Sequence, residues 1–457
     1  MLENMQTIRQ AFGASADFRT RSFEESGEIS ASIYYIDGLI NAERLEEHVI
    51  KPLAIDIHAV LQNANMKATS STEEAISAII QGKAVVVYRH SDTMMIADVT
   101  MWKERPVGES LTERNPLGLL LGFTEKANTN ISILRSLLKT TQFMVETIDK
   151  GTLVPTSISM VYMRNIVDKA VLQEVRKRLN GLNVKYVLQS AIVEEVLVQN
   201  SKTFFPLTAS TEAPDIAASA MLEGKVIVFV DNTPHAIICP ALFVSFFQSP
   251  EEYYSKYGRL VNRFIKAIAF FTATHASAVF ILLDHSHVLS KKVHGLLYPK
   301  DILIPSLVQV LILVTLFKIL VDGMYKTNKN LVTFFALVST VLISENMLKI
   351  KIFTPLCLCV VALSYVICIL FISRGLAAPI LTLLCLYSIT ASLTGPIGVI
   401  VLTTLTFVHI AMLKSINVPY LSPLIPFKTK ELRDVFFRSN LKKLINSEHS
   451  YSRKGKR

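Results

Sequence analysis

Residues 74–97 read EAISAIIQGKAVVVYRHSDTMMIA, and residues 216–238 read IAASAMLEGKVIVFVDNTPHAII. Both open as small and apolar residues at helical spacing and close on Gly-Lys, at Gly82 and Gly224. Glycine at that point can take the left-handed conformation that ends a helix. A β-branched run follows in each, Ala84–Tyr88 and Val226–Val230, then a polar turn, then a second short apolar run. The pattern reads helix–strand–turn–strand, twice.

Upstream, SIYYIDGLINAERLEEHVIKPL from Ser32 resembles SMVYMRNIVDKAVLQEVRKRL from Ser159. Each is an apolar strand, a short turn and a helix opened by Asn41 or Asp168, residue types that accept hydrogen bonds from orphan helix N–H groups. The offsets between the copies are 127 and 142 residues. Two tandem α/β subdomains are expected, over about 27–110 and 150–245, and they should superpose. Between them, ERNPLGLLLGFTE (Glu113–Glu125) carries turn-forming Asn-Pro and two glycines and reads as a linker.

From residue 264 the chain changes character. Six apolar stretches, 264–283, 302–321, 331–348, 354–372, 376–393 and 395–413, approach the roughly 20 residues needed to cross a bilayer. The last two are separated only by Thr394-Gly395-Pro396, a tight re-entrant turn or a kink. The expected architecture is an α/β cytosolic head of two similar tandem subdomains followed by an α-helical multi-span membrane domain. Its divisions are an N-terminal segment (1–26), a first α/β subdomain with linker (27–125), a second (126–258), a transmembrane domain of about five or six spans (259–415) and a basic cytoplasmic tail (416–457).

The 457 residues are 51% hydrophobic, with a mean hydropathy of +0.40, high for a wholly soluble protein. The net charge of +10 is unevenly placed: 26 Lys/Arg face 30 Asp/Glu up to residue 263, and 21 face 7 beyond it. The basic excess therefore belongs to loops and a tail beside apolar spans, where it sets topology and attracts anionic lipid. The head shows no basic stripe with interleaved aromatics, so no nucleic-acid partner is expected. Cys357, Cys359, Cys368 and Cys385 lie in apolar spans and Cys239 in the head, which is neither a disulfide framework nor a zinc pair. MLENMQTIRQAFG at the start has no apolar signal core, so the head is expected to stay cytoplasmic. Six spans would put head and tail on one side. Arg259, Arg263, Lys266 and the tail's Lys428, Lys430, Arg433, Arg438, Lys442 and Lys443 would then all lie inside.

No Walker A, GxGxxG, G-x-S-x-G or H-E-x-x-H pattern occurs. No catalytic, cofactor-binding or metal residue is assigned, and enzymatic function is not expected. Asp284-His285-Ser286-His287 offers only two histidines without a third ligand nearby, and reads as interfacial. Asp231-Asn232-Thr233-Pro234 reads as a hairpin turn. Polar groups at membrane depth usually face a bundle interior or an aqueous path. The candidate pore or membrane-polar residues are therefore Gln309, Leu313, Lys318, Glu345 and Asn346. Gln309 and Leu313 share one helix face, from which Lys318 is offset. In SPEEYYSKYG (Ser249–Gly258), Pro250, Tyr253 and Tyr254 form a candidate coupling elbow or interfacial belt.

The chain resembles the A subunits of the GerA family of bacterial spore germinant receptors. The resemblance runs from about Ser15 to Arg438, through an ordered set of strings: YYIDGLI, EHVIKPL, EAISAIIQGK, WKERPVGES, ERNP, GFTE, NISILR, LEGKVIVFVDNTPHAIICPA, QSPEEYY and NVPYLSPL. It implies an oligomeric membrane protein, a nutrient-gated cation channel, located in the inner membrane of the endospore. The partners it implies are a transporter-like B subunit that binds the nutrient, a C subunit lipoprotein, further copies of the same chain, and membrane lipid. The chain also departs from the family. Leu117–Leu121 replaces an Arg-Gly-Pro-Arg-Glu run, and Gln309, Val314 and Lys318 stand where glutamates are usual. A cation would then lack a carboxylate ring to replace its water. The alternative reading is a non-conducting structural or regulatory paralogue within such a receptor complex. A secondary transporter would need repeated halves in the membrane, and the repeat lies in the head.

Overall fold

The computed structural model describes residues 2–25, 28–55, 66–89, 91–101, 121–199, 201–247, 256–286, 302–326, 351–371, 375–427 and 452. In the first α/β unit, α1 (Leu2–Phe12) leads into a hairpin of β1 (Phe18–Glu25) and β2 (Glu28–Ile36). Helix α2 (Ala42–Leu45) runs through a π-helical turn (Glu46–Ile50) into α3 (Lys51–Ile55). Then come β3 (Met66–Thr69), α4 (Thr72–Ile80), β4 (Ala84–Tyr88) and β5 (Met94–Ala97). The second unit repeats this order: α5 (Ala127–Leu137), β6 (Phe143–Lys150), β7 (Thr156–Met163), α6 (Lys169–Asn180), α7 (Ser190–Val198), β8 (Ala209–Thr211), α8 (Pro214–Leu222), β9 (Val226–Val230) and β10 (Ala236–Cys239).

The two five-stranded sheets are ordered β1-β2-β4-β5-β3 and β6-β7-β9-β10-β8. Their registers coincide: Ala31 faces Tyr88 and Ile158 faces Val230, while Ala84 faces Ala97 and Val226 faces Cys239. The offsets of 127 and 142 residues read from the sequence therefore carry through both ladders. The repeat also takes in α1 with β1 and α5 with β6. Gly82 and Gly224 have φ of 87° and 100°, which only glycine takes freely. Asn41 accepts from the Arg44 amide at 3.1 Å, and Asp168 from the Ala170 amide at 2.7 Å, so both predicted caps form.

Successive side chains of a strand point to opposite faces, and here both faces are covered. Val85 and Val87 pack with Ile8, Phe12, Ala75 and Ile79 from α1 and α4. Val86 and Tyr88 pack with Leu45, Val49 and Leu53 on the other face. The second sheet is clad likewise by α5 and α8 on one side and by α6 and α7 on the other. Burial on both faces explains why the central strands read as continuous apolar runs.

The units are locked by Arg135 of α5, which is fully buried. Its Nε donates to Asp17 Oδ2 at 2.9 Å and its Nη2 to both Asp17 oxygens at 2.7 Å. Nη1 donates to the Phe143 carbonyl at 3.0 Å, and the Phe143 ring centroid lies 4.2 Å from the guanidinium. Asp17 belongs to the segment entering β1. That segment also pairs with the edge of β6: the Ala16 amide donates to the Val145 carbonyl at 2.9 Å, and the Val145 amide to Ser15 Oγ at 3.1 Å.

The helical body comprises α9 (Lys256–His285), α10 (Ser306–Lys326), α11 (Pro355–Leu370) and α12 (Ala377–Met412). Among the described residues, two helices are long and apolar enough to cross a bilayer, Val261–His285 and Ala377–Met412; Ser306–Ile319 and Pro355–Ile369 are shorter apolar stretches. The expected span 331–348 lies outside the described residues. Helix α12 is broken at Gly395, where φ is 67° and ψ −156°. The Tyr387 hydroxyl donates to Thr406 Oγ1 at 3.3 Å. Residues 19 apart would stand about 28 Å apart along one straight helix, so α12 is a helical hairpin. Left-handed Gly395 ends its first half and Pro396, which needs no amide partner, starts the second.

Asp17→Ala would leave a buried guanidinium without its carboxylate and is expected to lower the stability of the purified chain by about 3–5 kcal/mol. Removing both charges, as Asp17→Asn with Arg135→Met, should recover most of that loss in denaturant unfolding. A loss in Asp17→Ala below about 1 kcal/mol would show that the pair does not clamp the units.

Candidate functional site

The described head and helical body meet at one place, which both ends of the body reach. After β10 the chain enters a short 3-10 helix, Phe243–Phe247, on its way to α9. After α12 it forms a small hairpin, β11 (Lys414–Ser415) and β12 (Val418–Pro419). The two turn residues, Ile416 and Asn417, have φ of 44° and 63°, the geometry that matches the twist of a two-residue hairpin. Ile416 and Val418 bury themselves in the α6–α7 side of the second α/β unit, beside Val175 and Leu179.

Ser415 pins this strap. Its hydroxyl donates to the Leu207 carbonyl at 2.5 Å and accepts from the Ala241 amide at 3.0 Å. The Phe243 amide donates to the Tyr420 carbonyl, and the Tyr420 amide to the Leu413 carbonyl, both at 2.9 Å. Tyr420 is fully buried, with ring centroids 5.8 Å from Phe243 and 6.4 Å from Phe246. Burial pushes its phenol above the usual range. His409 Nε2 lies 3.0 Å from Thr203 Oγ1 of the head. Aromatic contacts continue into the body, from Phe243 to Phe270 at 5.7 Å and from Phe247 to Phe371 at 5.8 Å.

Beside the strap is a cavity of about 480 Å³ lined by Phe247, Arg263, Phe270, His275, Tyr387 and Leu424, among others. Arg263 is 3% exposed. The His275 ring lies 4.2 Å from Tyr387, and its Nε2 is 3.2 Å from Thr403 Oγ1. The strap is thus bonded both to the second unit and to the chain on either side of the helices.

The residues singled out from sequence fall elsewhere. Gln309 is 2% exposed and Leu313 4% exposed within the single chain, rather than on an open face. The Gln309 amide donates to the Ile304 carbonyl at 2.9 Å. Its oxygen accepts from the Thr354 amide at 2.8 Å and the Thr354 hydroxyl at 2.7 Å. Thr354 is the N-cap of α11, so Gln309 ties the start of that helix to α10. Lys318 is exposed on α10. Glu345, Asn346, Pro250, Tyr253 and Tyr254 lie outside the described residues. Among the described residues, no three His, Cys, Asp or Glu are grouped to hold a metal. Asp284 accepts from the Ser306 hydroxyl, and His285 Nδ1 lies 2.9 Å from its own helix at Ile281 O. In the Asp231-Asn232 turn, the Asp231 carboxylate accepts from the Ala127 amide at 3.1 Å and caps α5. Sequence reasoning gave the strap no role. Its signal was a Pro- and Tyr-bearing string, NVPYLSPL, placed directly after the last apolar stretch.

The sequence pattern of the family described as Bacillus/Clostridium GerA spore germination protein matches residues 6–450. The chain belongs to the GerA family. GerA relatives include spore germination protein KA of Bacillus subtilis, 28% identical over 96% of this chain and 84% of that protein. Spore germination protein GerQA of Bacillus cereus is 25% identical over 96% of this chain and 90% of that protein. Stage V sporulation protein AF of Bacillus subtilis is 27% identical over 89% and 86% respectively. The crystal structure of the N-terminal domain of the A subunit of the Bacillus megaterium spore germinant receptor GerK3 covers 53% of this chain and 95% of its own, at 25% identity and a TM-score of 0.42. Two of the GerA strings meet in the head: Asn130 of NISILR accepts from the Thr124 amide of GFTE at 2.8 Å and donates to its carbonyl at 2.6 Å.

Ser415→Ala would orphan the Leu207 carbonyl and the Ala241 amide, both served by one hydroxyl. Each buried unpaired group costs about 1–3 kcal/mol. The expected result is faster hydrogen exchange at Ala241 and in 413–420, with exchange in β1 and β2 of the first unit unchanged.

Proposed function

We propose that this chain is the A subunit of a spore germinant receptor, relaying nutrient binding by a partner to the ion release that starts germination. The observation that carries this reading is the match of head and helical body alike, residues 6–450, to a family of spore germination proteins. The B subunit would bind the nutrient, and a C subunit lipoprotein would complete the receptor. The helical body would sit in the inner membrane of the endospore. Its outward side chains support that placement: Phe264, Leu363, Leu393, Ile400 and Met412 are each more than half exposed. Large apolar side chains left exposed in such number along the helices favour a non-aqueous surrounding. Both ends of the body reach the same α/β unit, which supports an even number of crossings, with head and strap on one side.

Gating would proceed by population shift: a partner that binds one arrangement of the head better than another biases the body through the strap. In this reading the body forms an oligomeric cation channel. The alternative, a non-conducting structural or regulatory paralogue in the same complex, is favoured by one feature. Gln309, where the family resemblance expects a glutamate, spends its amide on Ile304 and Thr354 inside the chain.

Two measurements test these readings. Spores of the host lacking this chain should lose nutrient-triggered cation release for at least one germinant, and wild-type release for every germinant would refute the receptor role. Purified chain in liposomes should pass monovalent cations if it conducts. Absence of flux, alongside the spore defect, would select the paralogue.

A further inference from the structure

The two α/β units are the same fold, yet the second departs from the first just after its last strand. In the first unit, residues 99–101 run on from β5 beside the loop that precedes α2. Thr100 bridges Ile40 in antiparallel fashion. The Asn41 amide donates to the Val99 carbonyl at 2.8 Å, and the Met101 amide to the Leu39 carbonyl at 2.9 Å. The floor of this slot is Gly82, where a Cβ would stand 2.9 Å from the Leu39 oxygen and 3.3 Å from Thr100 Cγ2.

The second unit has the same slot. Val167 corresponds to Ile40, Ile166 to Leu39 and Gly224 to Gly82 by the two repeat offsets. The residues that should fill it, 241–243, instead leave for the helical body: the Ala241 amide goes to Ser415 and the Phe243 amide to Tyr420. The slot is nonetheless filled. Ser452, 8% exposed, forms an antiparallel bridge with Val167. A Cβ on Gly224 would stand 2.9 Å from Ser452 Cβ and 3.2 Å from the Ile166 oxygen. Ser452 thus takes the place of Thr100, from 210 residues further along the chain than the equivalent position, Leu242.

We propose that Ser452 is an intramolecular latch that completes the second α/β unit, docking in the slot vacated where the chain departs for the helices. The slot recognises extended main chain, and its glycine floor selects a small residue at the centre. The consequence is a second tie between the end of the helical body and the head, independent of the strap.

Two experiments on the purified protein in neutral detergent test this. In the full chain, Val167→Cys with Ser452→Cys should form a disulfide on mild oxidation, since antiparallel partners lie within disulfide reach. Neither single variant should form that bond with the native cysteines. In the second, a fluorescent peptide of residues 446–457 is added to the chain truncated after residue 427. The truncated chain should bind it saturably and the full chain, already latched, roughly tenfold more weakly. A peptide carrying Ser452→Trp should bind neither. Equal binding to both chains, or no binding to a truncated chain of native circular dichroism, would overturn the proposal. If the truncated chain does not fold, the cross-link decides: its absence from the oxidised full-length double variant overturns the latch.

Discussion

A guanidinium with no exposure to water must have its charge and donors answered locally, and for Arg135 the answering charge comes from the other α/β unit. Asp17 supplies both carboxylate oxygens, Phe143 a carbonyl and a ring face. Burial pulls the guanidinium below its usual pKa, and the Asp17 charge opposes that shift. The pair fixes where the first unit enters its first strand relative to the edge of the second sheet. The second unit in turn holds the strap and the start of the helical body. Position is therefore passed from the first unit to the second, and from the second to the helices.

Much of this was legible in the sequence, for a physical reason. The central strands are buried on both faces, so β4 and β9 appear as unbroken apolar runs, and the glycines after α4 and α8 stand at backbone turns no other residue takes easily. The edge strands carried no such signal. In β1, Arg19 and Arg21 are exposed and make ion pairs at 3.8 and 3.6 Å with Asp37 and Glu46. That mixture of charge lacks the alternation of apolar residues that marks a strand, so residues 1–26 read only as an N-terminal segment.

Gln309 is hard to read from sequence for a different reason. A polar side chain in an apolar helix has two common explanations, an aqueous path or the unsatisfied end of a neighbouring helix. Spacing along α10 cannot distinguish them, because the deciding partner, Thr354, is 45 residues away. The strap escaped for a similar reason. Its hydrogen bonds reach back 174 residues to Ala241 and 208 to Leu207, and no local pattern announces pairings of that range.

The hairpin turn of α12 sets a boundary condition on the far side of the molecule. Leu393 and Ile397, on either side of Gly395-Pro396, are 76% and 74% exposed, and no charged residue stands between Ala377 and Met412. Headgroup regions hold protein by Lys, Arg, Trp and Tyr anchors, and this turn has none of them. Thr394 returns its hydroxyl to the Thr390 carbonyl at 2.8 Å, so even the backbone there has its own supply of hydrogen bonds. The tip therefore presents exposed apolar side chains with no charge among them, a surface that hydrocarbon or another apolar surface solvates better than water does.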